Sequence, residues 1–294
     1  MASLNNGIPP SADENNNANV KLLAVLSDPS DADDAEDSMY RFLVDGRDVK
    51  YVTAAANVTP ADDRGFAPIL IPSLPTFPPG NWNEGHIVRD SNTGEPVFER
   101  TVYNDSLAGV ENAWHPLRID HLELQTVPDG RILQNMHRVT HPTLFDGKVV
   151  IRKCAEFPWQ MRYYQAETDA YRWLRDTDIG PRFLGHVTEA GRVIGFIVEC
   201  IEHARTAGPG DFEACHRALA QLHALGIRHG DINRYNFLIL KDKEDTAVLI
   251  DFECARKGCS ADELQAEMDK LAYELSDETG RGGTHRVTRV VKEA

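Results

Sequence analysis

One short segment limits the possible folds more than any other: His229-Gly230-Asp231-Ile232-Asn233-Arg234-Tyr235-Asn236. Before it, in DFEACHRALAQLHALGI, leucines and alanines recur at the 3.6-residue period of an amphipathic helix. After it, FLIL reads as a strand. A turn and a second apolar strand follow, AVLIDFE, ending on Asp251-Phe252-Glu253. Either polar segment alone could be an ordinary turn or strand end. Both in order, on a helix–loop–strand–strand frame, point to side chains gathered for chemistry.

The elements before this frame are predicted to be three strands, a helix and two strands. HLELQTV, RILQNMHRV and KVVIRKCAEF form the three strands, with Pro128-Asp129-Gly130 as the first turn. The helix carries Tyr164, Thr168, Tyr171 and Leu174 at helical spacing and ends before Gly180-Pro181. PRFLGHVT and RVIGFIVECI pair about Glu189-Ala190-Gly191, and a last helix runs from about Ser260 to Leu275.

Further upstream the sequence carries no recognisable chemistry. Alternation around Asp45-Gly46 suggests a hairpin. The acidic run SDPSDADDAED reads as a solvated loop. FAPILIPSLPTFPPGN holds too many prolines for a regular helix or central strand, so an extended segment across the main domain is expected. HIVRD and PVFER flank an Asn92-Thr93-Gly94 turn. The polar start lacks the apolar core of a secretory signal and is expected to be a disordered tail. The resulting division is a tail over 1–19, a β-rich extension over 20–113, and two further parts over 114–200 and 201–294.

Composition excludes several function classes. Of 294 residues 41% are hydrophobic and 26% charged, which suits a globular chain with its own core. A formal net charge of -15 argues against a general nucleic-acid binder or a surface docking on anionic membrane. Five scattered cysteines without a CxxC pair argue against a disulfide scaffold or zinc site, and so for a reducing, cytoplasmic or nuclear setting. No stretch reaches the roughly 20 apolar residues of a membrane span.

The loop His229–Asn236 and the later Asp251 resemble the protein-kinase and aminoglycoside-phosphotransferase superfamily, whose catalytic loop reads HxDxxxxN. The resemblance implies an α+β, bilobal protein-kinase-like fold. It would have a five-stranded antiparallel N-lobe sheet and a truncated helical C-lobe, after the β-rich extension. It further implies ATP as the nucleotide, Mg2+ as the metal, and an unknown small-molecule or protein acceptor. On that pattern Asp231 accepts the proton of the attacking hydroxyl, His229 braces the loop, and Asn236 and Asp251 hold magnesium. Lys153, ending KVVIRK, matches the lysine that reaches the phosphates, and Glu167 in QAETDAYRWL its helix partner. The backbone of Glu199 and Ile201 would meet adenine. Asp269 is either the buried helix aspartate that steadies the catalytic loop or an exposed helix charge. His216 and His223 read as packing or capping residues, Cys254 as a small buried thiol, and Trp159 and Trp173 as helix-to-sheet packing.

Three departures narrow the resemblance. Thr126-Val127-Pro128-Asp129-Gly130-Arg131 stands where a kinase has GxGxxG, and its single glycine cannot supply the same cradle of backbone amides. A long activation segment and an APE motif are missing after Asp251-Phe252-Glu253. The helical platform for peptide substrates is reduced. The outline therefore looks closer to RIO kinases, the small kinase of the tRNA-modification complex and lipopolysaccharide Kdo kinases. ETDAYRWL, IGPRFLGHVTEAGRVIGF, HGDINRYNFLI and WHPLRID resemble a filamentous-fungal kinase-like group often labelled alpha-galactosidase A. A glycosidase would need paired carboxylates on a scaffold of its own, which this order of elements does not supply. The expected activity is phosphoryl transfer by an atypical kinase; the alternative is a pseudokinase serving as a nucleotide-binding or scaffolding module.

Overall fold

The computed structural model describes residues 17–30 and 35–283. The expected tail lies outside the described residues up to position 16, whereas Asn17–Asn19 form the turn that enters the first strand. The chain divides into two compact units, Met1–Leu107 and Ala108–Ala294. Among the described residues no helix is long and apolar enough to cross a membrane.

The first unit is a five-stranded sheet built from β1 (Val20–Leu26), β2 (Ser38–Val44), β3 (Asp48–Ala54), β4 (Glu84–Arg89) and β5 (Pro96–Val102), in that order. The hairpin about Asp45-Gly46 is present, as is the turn joining β4 to β5. β3 and β4 run parallel, and the crossover between them contains α1 (Ala67–Ser73). This helix corrects the extended segment expected from the prolines. Pro68 falls in the first turn, where an N–H has no helical partner to lose, and Pro72 comes just before the end. Leu70 of α1 packs into a core with Tyr40, Phe42, Phe77, Trp82 and Ile87.

The second unit is mixed α+β. Its main sheet comprises β6 (Arg118–Asp120), β7 (Gln125–Arg131), β8 (Met136–Thr140), β9 (Val150–Cys154), then, after α2 (Met161–Leu174), β10 (Phe183–Glu189) and β11 (Arg192–Glu199). The spatial order is β6-β10-β11-β9-β8-β7. Five strands pair antiparallel, but the sheet has six, because β6 adds to β10 in parallel. A three-residue strand has no periodicity to read. The turn also moves. Pro128-Asp129-Gly130 lies inside β7, where the register shifts between Thr126 and Arg131, and the chain reverses at Ile132–Asn135 instead. A Cβ on Gly130 would come within 2.7 Å of the Arg138 and Val127 carbonyls, so this glycine serves close backbone approach.

After the sheet come β12 (Ala204–Thr206), α3 (Phe212–Ala224), β13 (Ile227–Arg228), β14 (Phe237–Leu240), β15 (Lys243–Leu249), β16 (Arg256–Lys257), α4 (Ala261–Met268) and α5 (Leu271–Ser276). The final helix is thus two helices, interrupted at Asp269-Lys270. Ser260 caps α4 by a reciprocal bond with Glu263. Leu219 and Leu222 of α3, Leu249 of β15 and Leu271 and Leu275 of α5 share one core with the buried residues of the main sheet.

Candidate active site

The segment from α3 to β14 makes a tight loop because its polar side chains bond its own backbone. His229 is fully buried; its Nε2 donates to the Ile250 carbonyl (3.1 Å) and its Nδ1 accepts from the Asp231 amide (3.3 Å). Acceptance at Nδ1 requires the neutral ring, and burial lowers the His229 pKa in the same sense. Asn236 Nδ2 donates to the Asp231 carbonyl (2.9 Å) and to Asp231 Oδ2 (3.1 Å). Asn233 Nδ2 donates to the same Oδ2 (2.9 Å), while its Oδ1 caps the following turn by accepting from Tyr235 N. Two amides therefore aim one carboxylate. The Ile250 amide donates to Asn236 O (3.0 Å), tying the loop to the end of β15.

Gly230 cannot be replaced without cost. Its φ is +89°, and a Cβ there would sit 2.4 Å from the Cys254 carbonyl. The loop is anchored from α4 by a residue that the sequence reading missed. Glu267 Oε2 accepts from His229 N (2.9 Å), and Oε1 from Gly230 N (2.7 Å). His223 Nε2 lies 2.9 Å from Oε2 and Arg228 Nε 3.5 Å from Oε1. Burial opposes ionisation of Glu267, yet the His223, Gly230 and His229 bonds together lower its pKa. Asp269, the candidate for this task, is exposed, and its carboxylate accepts from the helix neighbour Gln265. The apolar phase Leu264, Met268, Leu271, Leu275 carried the signal: position 267 lies on that face and position 269 off it.

Asp251 follows β15 with its backbone in the left-handed region, φ 65° and ψ 65°. Lys153 on β9 reaches it: Nζ stands 2.5 Å from Asp251 Oδ1 and 2.6 Å from Glu167 Oε2 on α2. Lys153 and Glu167 are buried, whereas the Asp251 side chain is 35% exposed. Burial pulls the Lys153 pKa down, but the two carboxylates more than offset this and hold it well above its ordinary value. Burial pushes Glu167 up to about 7, against the pull of Lys153. Glu253 joins them, half-buried and with its pKa raised by burial and by Asp251. Ligand oxygens of Glu167, Asp251 and Glu253 all lie within 4.8 Å of one another.

The helix that delivers Glu167 is fixed from two sides. Trp114 Nε1 donates to the Thr168 carbonyl (3.0 Å), and its ring packs against Phe183 at 4.7 Å. On the other side Phe252 lies 5.4 Å from the Tyr171 ring of α2 and 5.2 Å from His229. Glu199 ends β11, where its carboxylate pairs with Arg182 (3.1 Å), and Ile201 lies in the connector to β12. Neither belongs to the hydrogen-bonded cluster. Two other expectations are corrected, for Cys254, which is exposed, and for Trp159, which is 48% exposed. Both lie at turns, where sequence alone gives no face.

Residues 203–281 match the lipopolysaccharide kinase (Kdo/WaaP) family. The matched stretch contains His229, Asp231, Asn236, Asp251 and Glu267, while Lys153 and Glu167 fall before it. No curated protein matches the chain. The match covers about a quarter of the sequence and supports a kinase-like superfamily, and with it a phosphotransferase.

Proposed function

We propose that the chain is an ATP- and magnesium-dependent phosphotransferase of kinase-like, bilobal fold, acting on a small molecule or a restricted protein acceptor. The single observation that carries this reading is the cluster of Lys153, Glu167 and Asp251, drawn from three separate elements into contacts of 2.5–2.6 Å. Asp231 accepts the proton of the acceptor hydroxyl, held in aim by Asn233 and Asn236. Lys153, oriented by Glu167, binds the nucleotide phosphates, and the Glu199 carbonyl and Ile201 amide meet the base. The donor set fits magnesium: Asp251 offers a carboxylate, and Asn236, its amide nitrogen engaged by Asp231, keeps Oδ1 for a cation. Bound there, the ion would neutralise phosphate charge during transfer. His229 and Glu267 hold the loop and touch no reactant.

The cysteines form no disulfide among the described residues, which suits a reducing compartment, the cytoplasm or nucleus. The likeness to the fungal kinase-like group belongs to the same reading, whereas its glycosidase label does not.

One observation favours the second reading, a nucleotide-binding or scaffolding pseudokinase. The β7–β8 reversal at Ile132–Asn135 has no glycine, and Asn135 is tied down by bonds to Tyr164 and Cys154. Thermal shift with ATP, with and without magnesium, tests both. Saturating ATP should raise stability by roughly 2–4 kcal/mol in the parent chain and not in Asp251→Ala. Absence of any magnesium-dependent shift in the parent chain removes the enzyme reading. A shift without turnover of labelled ATP across a broad acceptor panel selects the pseudokinase.

A further inference from the structure

The face of the main sheet opposite Lys153 carries a polar row of its own. Arg131 on β7 stands across from His137 on β8, and His137 across from Arg152 on β9. Directly opposed residues on neighbouring strands share a face, with strands about 4.8 Å apart. The row therefore sets two guanidinium stems about 10 Å apart with an imidazole between them. Met136, one position before His137, is the partner of Lys153, which puts the row on the other side of the sheet from that lysine.

Like charges opposed across strands repel, and a chain of net charge -15 has acid to spare for pairing them. Arg182, Arg192 and Arg205 are each paired with a carboxylate. Arg131 and Arg152 have no carboxylate within ion-pairing distance among the described residues. Arg152 Nε is in addition sealed from solvent without a hydrogen-bond partner. The imidazole between them is fully engaged: His137 Nε2 donates to the Gln134 carbonyl (3.0 Å) and Nδ1 faces Thr126 Oγ1 (3.4 Å). Burial, then Arg152 and Arg131, lower its pKa, so it acts as a neutral spacer. What the row lacks is an acceptor.

We propose that Arg131 and Arg152, flanking His137, form an anion subsite for a phosphate-type oxyanion, either free phosphate or the monoester group of a small metabolite. A tetrahedral anion presents oxygens along several edges and can accept from two guanidinium forks at once. This site is independent of the catalytic reading above.

The test is a titration of the full chain, 15N-labelled, with inorganic phosphate at constant ionic strength, following the Arg152 Nε–H and His137 ring resonances. Saturable shifts at both are expected, at least tenfold weaker in Arg131→Gln and unchanged in Asp251→Ala. Arg152→Lys keeps the charge but removes the fork, and should abolish saturation. Shifts that stay linear, that chloride reproduces, that survive in Arg152→Lys or that vanish in Asp251→Ala overturn the proposal. Phenyl phosphate beside inorganic phosphate separates the sources: tighter binding of the ester marks a metabolite site, tighter binding of the free ion a phosphate site.

Discussion

Two buried residues give the sharpest expectations at the residue scale. Glu267→Ala would strip the acceptor from two buried backbone amides and from His223, at a cost of roughly 2–4 kcal/mol. Asp269→Ala should stay within about 0.5 kcal/mol, because that side chain is exposed. Urea unfolding of both variants checks the pair. His186 is fully buried on β10; its Nε2 accepts from the His115 amide and its Nδ1 has no partner. Burial, aided by His115 and Arg118, pulls its pKa from 6.5 to about 4. Between those values the unfolded chain takes the proton first, so the His186 contribution is complete above pH 6.5 and is lost as pH falls toward 4. Unfolding free energy should drop by about 2 kcal/mol from pH 7 to pH 5 on this account. A denaturant series in which His186→Leu shows the same drop as the parent chain would sink the assignment. The spacing of His229, Asp231 and Asn236 was legible because one loop holds all three and the bonds that aim Asp231 run within it. Glu267 was less so, since its partners lie 37 and 38 positions away and only helix phase hints at them.

At the scale of elements, α2 matters most, because it brings Glu167 to β9. Trp114 holds it through one hydrogen bond to a helix carbonyl. Trp114→Phe keeps an aromatic ring against Phe183 but removes the donor, which should cost about 1 kcal/mol of stability. If that loss falls on the placement of Glu167, Mg·ATP binding weakens about fivefold, as titration calorimetry would show. Unchanged affinity would confine Trp114 to packing. Strands and helices with clear periods, from β8 to β11 and α2 to α3, were readable from the sequence. The misreadings cluster where period gives no information: the three residues of β6, the bulge at Asp129-Gly130, and a helix whose prolines sit where a helix tolerates them. The break at Asp269-Lys270 was equally silent, since both residues are acceptable in a helix interior.

At the scale of the whole molecule, charge sets the terms on which a nucleotide arrives. A chain of net charge -15 repels a polyanion, so added salt should speed nucleotide association. Stopped-flow mixing with a fluorescent ATP analogue is expected to show roughly a two- to threefold faster on-rate at 150 mM than at 20 mM salt, because the screening length shortens to about 8 Å. A rate that falls with salt would mean that a local positive field outweighs the net charge. Within that field Lys153 has a consequence of its own. Its ammonium already sits on the Asp251 carboxylate that a divalent ion would need, so the two cations compete for one seat. Lys153→Met should therefore lose nucleotide binding while binding free Mn2+ more tightly, a gain that paramagnetic resonance can count directly. The lysine is a resident counterion, so loading the site with a divalent ion would trade one cation for another.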